Sequence, residues 1–141
     1  SNGKSYIEKC KVENLNMATR YKAIITYAMS GGNKPNSDGK YQILSSLMVL
    51  GKEGVCTETY LVIKDVDNLV EAKNLVTYIK TRFFRFMVLQ RKNTQHNMSH
   101  VFRYVPIQDF NKSWTDEELY KKYDLDKAEI DFIESMIKPM E

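Results

Sequence analysis

A chain of 141 residues, 43% hydrophobic and 28% charged, suits one globular domain around a single core and excludes a disordered tract. No apolar run reaches the roughly 18 residues of a membrane span, and the opening SNGKSY has no apolar signal core, so the chain reads as cytosolic with no membrane partner. The net charge of +3 is unevenly spread: residues 1–112 carry 17 Lys+Arg against 9 Asp+Glu, and residues 113–141 carry 4 against 9. That split suggests a polyanionic partner for the main body and an acidic appendage lying off the contact surface. A solvated surface with no partner accounts for charge alone equally well.

Taken in order, Ser1-Asn2 reads as a tag remnant, and Ser5–Val12 alternates loosely as an edge strand. The two cysteines, Cys10 and Cys56, form no C-x-x-C pair and lie near no His at metal spacing. Buried free thiols are the favoured reading over zinc or a disulfide. Tyr21–Ala28, YKAIITYA, is β-branched and aromatic and predicts a strand. Ser30–Lys40 collects Gly, Asn, Ser, Asp and Pro and predicts a long loop, with Lys34 and Lys40 placing charge beside its tip. Tyr41–Leu50 and Val55–Lys64 predict strands that form a hairpin around Gly51-Lys52-Glu53-Gly54.

The dominant stretch follows, from Asp67 to about His96. At a helical period Ala72, Leu75, Val76, Ile79, Phe83, Phe86 and Met87 share one stripe, with Lys73, Lys80, Arg82, Arg85, Arg91 and Lys92 opposite. Asn68 and Glu71 make a capping box, predicting one helix from Leu69 to about Lys92, roughly 35 Å long. Asn93–His100 is a polar run, and Val101–Gln108 predicts a last strand stopped near Pro106. Thr115 with Glu118 opens a short helix through about Tyr123, and Asp126 with Glu129 opens another that Pro139 closes. Leu119 and Tyr120 on the first, and Ile130, Ile133 and Ile137 on the second, supply apolar edges. The expected architecture is α+β: a small mixed or antiparallel sheet on one long amphipathic helix, residues 3–112, with a helical pair docked at 113–141.

Catalytic signatures are scarce. The chain has no Gly-rich phosphate loop, G-x-S-x-G elbow or H-E-x-x-H. His96 and His100 are four apart but fall in the polar run after the helix, which favours surface or phosphate-contacting roles over a metal site. Asp65, Asp67, Glu71 and Lys73 invite comparison with a magnesium-dependent nuclease. Glu71 and Lys73, however, sit about 200° apart in the first turns of a helix rather than on a strand. Asp67 and Glu71 suit the helix N-terminus better. The basic cluster is more informative, because Arg82, Arg85, Arg91 and Lys92 can neutralise phosphates while Asn93, Gln95 and neighbouring polar groups can bond base edges. Composition does not choose DNA over RNA.

The runs VCTETYLVI (55–63), EAKNLVTYIKTRFFRFMVL (71–89), KNTQH (92–96), YVPIQDF (104–110) and WTDEELYKKYDLDKAEIDFIESMIKPM (114–140) occur in one order along residues 20–140. In these runs the chain resembles the C-terminal end of bacterial restriction–modification proteins similar to adenine-N6 DNA methyltransferases. In that family an S-adenosylmethionine fold and an Asn-Pro-Pro-Tyr motif lie upstream, and neither is present here. Ser30–Lys40 lies outside the matching runs, as a segment that varies with target sequence would. The resemblance implies a target-recognition part that binds double-stranded DNA beside the upstream methylase domain, and works with a restriction subunit in some arrangements. It implies no catalysis and no cofactor in this segment. The expected DNA-binding residues are Lys34, Lys40, Lys80, Arg82, Arg85, Arg91, Lys92, Asn93, Gln95 and His96, with Asn33 and Asn36 as further base readers. A nuclease domain and a protein-docking module built on the acidic helices are the rival readings.

Overall fold

The computed structural model describes residues 19–26, 35, 37–41, 43, 44, 47–54, 60–91 and 105–140. Among these residues the chain is α+β. Its strands are β1 (Tyr21–Thr26), β2 (Met48–Leu50) and β3 (Tyr60–Val66), and its helices are α1 (Leu69–Ile79), α2 (Arg82–Arg91), α3 (Asp116–Lys122) and α4 (Lys127–Met136). The sheet is antiparallel in the order β2-β1-β3. The expected edge strand at Ser5–Val12 and both cysteines fall outside the described residues.

β1 takes the middle place, and its sequence suits it. Ala23, Ile24 and Ile25 are all buried, so both faces of the strand are covered, and Lys22 is buried beside them with its ammonium donating to the Arg20 carbonyl at 2.7 Å. A register shift between Ala23 and Ile24 moves the pairing from Ala23↔Lys64 to Ile24↔Val62, which leaves Ile63 of β3 as the extra residue. The expected hairpin between the second and third strands does not form. Each pairs with β1 instead, on opposite edges.

The expected strand Tyr41–Leu50 is interrupted as well. Tyr41 makes an isolated parallel bridge with Ile137, and Ile43, fully buried, then adopts φ 72°, a left-handed conformation costly for a β-branched residue. The chain therefore turns before β2, having first given one residue to the C-terminal segment. At the following turn the Gly54 N–H donates to Gly51 O at 3.1 Å, and a Cβ on Gly54 would lie 2.9 Å from that same oxygen. Glycine is required there.

The single long helix is likewise replaced by two. α1 stops at Ile79, with Lys80 as its C-cap, and Thr81 begins α2: its hydroxyl donates to Tyr78 O at 2.6 Å and accepts from the Phe84 N–H at 3.1 Å. The capping residue Asn68 is confirmed, its side chain accepting from the Glu71 N–H at 2.9 Å. Both C-terminal capping boxes are also present, Thr115 with Glu118 and Asp126 with Glu129, and Leu119, Tyr120, Ile133 and Ile137 face the core as expected. Val105–Gln108, the described part of the expected last strand, is not a strand. Its groups turn inward instead: Pro106 O accepts from the Tyr78 hydroxyl at 2.7 Å, and the Gln108 amide donates to the Tyr123 hydroxyl at 2.8 Å.

This inward turn has a measurable consequence at high pH. Burial pushes the Tyr78 phenol up to about 12, and burial followed by the charge of Asp116 pushes Tyr120 up as well. The fold holds Tyr78 protonated, so that contribution to stability is intact below the ordinary value of 10.0 and is lost as pH rises through about 12. A phenolate absorbance titration should therefore show a late phase that coincides with unfolding, and Tyr78→Phe should shrink it. An unchanged late phase in that variant would mean Tyr78 is not the group held back.

Candidate nucleic-acid interface

The break at Lys80-Thr81 rearranges the cationic residues that a continuous helix would have lined up. The C-terminal helices pack on α2. Phe83 stacks on Tyr123 with centroids 5.1 Å apart, and Phe86 meets Phe132 edge to face at 5.8 Å. The Asp116 carboxylate, on the first turn of α3, accepts from the Arg82 and Phe83 N–H groups at 3.1 and 2.9 Å, and so caps a helix that begins 34 residues earlier. Of the α2 residues expected to meet a polyanion, Arg85 is buried and Arg82 half-buried.

Arg85 is the clearest correction. It is 0% exposed, and its guanidinium donates to the main-chain carbonyls of Thr81 (3.2 Å), Lys80 (3.1 Å) and Lys138 (2.6 Å). Burial lowers its pKa to about 10, partly offset by the charge of Asp116, so at neutral pH it remains a cation. A guanidinium so enclosed ties chain segments together and has no face for a phosphate. Arg82 is half-buried and pairs with Glu134 at 3.5 Å.

The remaining expected residues divide differently. Lys80 is half-buried at the end of α1, and Lys40 is half-buried after a turn in which its N–H donates to Asp38 at 2.9 Å. Arg91 closes α2, its side chain outside the described part. Lys34, Asn33, Asn36, Lys92, Asn93, Gln95, His96 and His100 also lie outside the described residues. One cation that sequence reasoning misses is Lys138, whose N–H donates to Tyr41 O at 2.8 Å while Tyr41 donates to Met136 O at 2.7 Å. Its sequence neighbours belong to the acidic helices, and its link to Tyr41 carries no local signal.

The carboxylates of the nuclease rival do not assemble as a cation site. Arg20 forms ion pairs with both Asp65 and Asp67, and Glu71 accepts from the Asp67 N–H at 3.1 Å. Both aspartates are thus engaged by one guanidinium. Among the described residues no group of three or more His, Cys, Asp or Glu is placed to hold a metal, and no helix is long and apolar enough to cross a membrane.

Comparison with family models, curated proteins and solved structures gives no match to this chain.

Proposed function

We propose that this chain is the DNA target-recognition part from the C-terminal end of a restriction–modification adenine-N6 DNA methyltransferase, cytosolic and without catalysis of its own. What carries the reading is where the resembling runs fall. Glu71–Leu89, 104–110 and Trp114–Met140 are the segments that supply α1, α2, the inward turn at Pro106–Gln108 and the terminal helices. They interlock through Asp116, Arg85 and Gln108. The resembling runs are thus segments that pack on one another.

On this reading the frame is constant and the DNA is met at its margins. Lys40 and Lys80 border the frame, Arg91 closes α2, and Lys34, Lys92, Asn93, Gln95 and His96 lie outside the described residues. Phosphate contacts would hold the duplex in register, while Asn93, Gln95 and His96 read bases. S-adenosylmethionine would be held by the methylase domain upstream, and the extruded adenine would be presented to it there. A docking role for the terminal helices is less well supported, because Leu119, Tyr120, Ile133 and Ile137 already face this chain's own core.

Fluorescence anisotropy of labelled duplex DNA tests the reading. Binding should weaken steeply as salt rises from about 50 to 200 mM, because each neutralised phosphate releases counterions. Absence of binding at the low end, with the chain folded by circular dichroism, would overturn it.

A further inference from the structure

Arg85 gathers three parts of the chain that sequence separates. Its guanidinium takes the carbonyls of Lys80 and Lys138, and Lys138 is in turn hydrogen-bonded to Tyr41, the neighbour of Lys40. Lys40, Lys80 and Lys138 are therefore brought to one margin of the frame. The side-chain directions are set by the bridge. Ile137 is fully buried and Tyr41 packs on the core, so the residues next to them, Lys138 and Lys40, lie on the alternate, outward side.

Two further features make this margin suitable for an anion. A helix C-terminus normally repels one, through its unpaired carbonyls. Here Lys80 O is taken by Arg85 and Tyr78 O by Thr81, so the negative end of α1 is covered by a buried cation. Among the described residues, none of the three lysine ammoniums has a hydrogen bond or ion pair. The nearest carboxylate in sequence, Asp38, accepts from the Lys40 N–H instead, and Glu134 is paired with Arg82.

We infer that Lys40, Lys80 and Lys138 form a phosphate-binding site, organised from behind by Arg85, that grips the backbone of duplex DNA. This rests on the proposed DNA-binding function and assigns it a surface. The site would supply sequence-independent attraction and leave base reading to Asn93, Gln95 and His96.

The test compares the full chain with Lys40→Gln/Lys80→Gln/Lys138→Gln and with a control, Lys121→Gln/Lys127→Gln, that removes exposed lysines from the terminal helices. For every phosphate no longer neutralised, the slope of log affinity against log salt should fall by about 0.9, so the triple variant should drop by roughly two to three units of slope while the control keeps its own. Discrimination between a specific and a scrambled duplex should survive. Thermal melting before titration excludes unfolding as the cause. If the wild-type chain binds duplex DNA and the triple variant keeps its full slope, this site is wrong and the function stands. If the wild-type chain binds no DNA, both fall. If an acidic protein is retained through these lysines in place of DNA, the site is real but its occupant is not nucleic acid, and the inference is overturned.

Discussion

Arg85→Ala should destabilise the chain by about 3 kcal/mol or more, which for a domain of this size lowers the melting midpoint by roughly 10 °C. The side chain is fully buried, and it donates to three main-chain carbonyls, at the end of α1, the start of α2 and the segment after α4. Removal would take this donor from the Lys80 and Lys138 oxygens, while Thr81 O keeps the main-chain N–H of residue 85, and would open a cavity where the side chain stood. Arg85→Met separates the two effects, since it keeps most of the volume and lacks the donors. Arg85→Lys should recover only part of the loss, because one ammonium cannot span three carbonyls as the planar fork does. Urea unfolding at neutral pH, followed by circular dichroism, measures all three. A surface phosphate anchor would give a change within about 0.5 kcal/mol on substitution, and that result for Arg85→Ala would remove the tie on which the Lys40, Lys80 and Lys138 arrangement depends.

The second large effect is expected at Asp116. Its carboxylate is placed at the start of α2, accepting from two main-chain N–H groups, while it also occupies the acidic first turn of α3. Asp116→Ala should cost about 2 kcal/mol, from the missing caps together with the missing charge at two helix N-termini. Asp116→Asn keeps one acceptor oxygen and should lose about half as much. Thr81 caps the same helix, so Thr81→Ala and Asp116→Ala should be non-additive by more than about 0.5 kcal/mol. Strict additivity would mean that the two residues act on separate structures and that α1 and α2 are not divided by a shared cap. By contrast the partly exposed Arg82–Glu134 pair should contribute under about 1 kcal/mol, and Glu134→Gln serves as the reference for an ordinary surface ion pair.

The periodic signal behind the single long helix is real but incomplete. Ala72, Leu75 and Ile79 in α1 and Phe83 in α2 are buried, whereas Phe86 and Met87 are only partly so and Val88, off the stripe, is fully buried; Lys80-Thr81 has neither the Gly nor the Pro that marks a break in sequence. The division is made by a hydroxyl at Thr81 and a carboxylate 34 residues downstream. A helical wheel also assumes one buried side. α2 has two, because it lies against α1 on one hand and against α3 and α4 on the other, which is why Arg85 is found in the interior and not on the expected contact surface.

The sequence by itself determined what neighbouring residues decide among themselves. The caps at Asn68, Thr115 and Asp126, the turn at Gly51–Gly54 and the β-character of Tyr21–Thr26 depend on groups within a few positions of one another, and they are found where the pattern places them. Only the tertiary structure decided which strand stands in the middle, that Tyr41 pairs with Ile137 and not along a hairpin, and which cations remain at the surface. Those outcomes are competitions for one limited interior. A side chain such as Arg85 or Lys138 is turned inward or outward by partners far along the chain, and nothing in its own neighbourhood encodes the result.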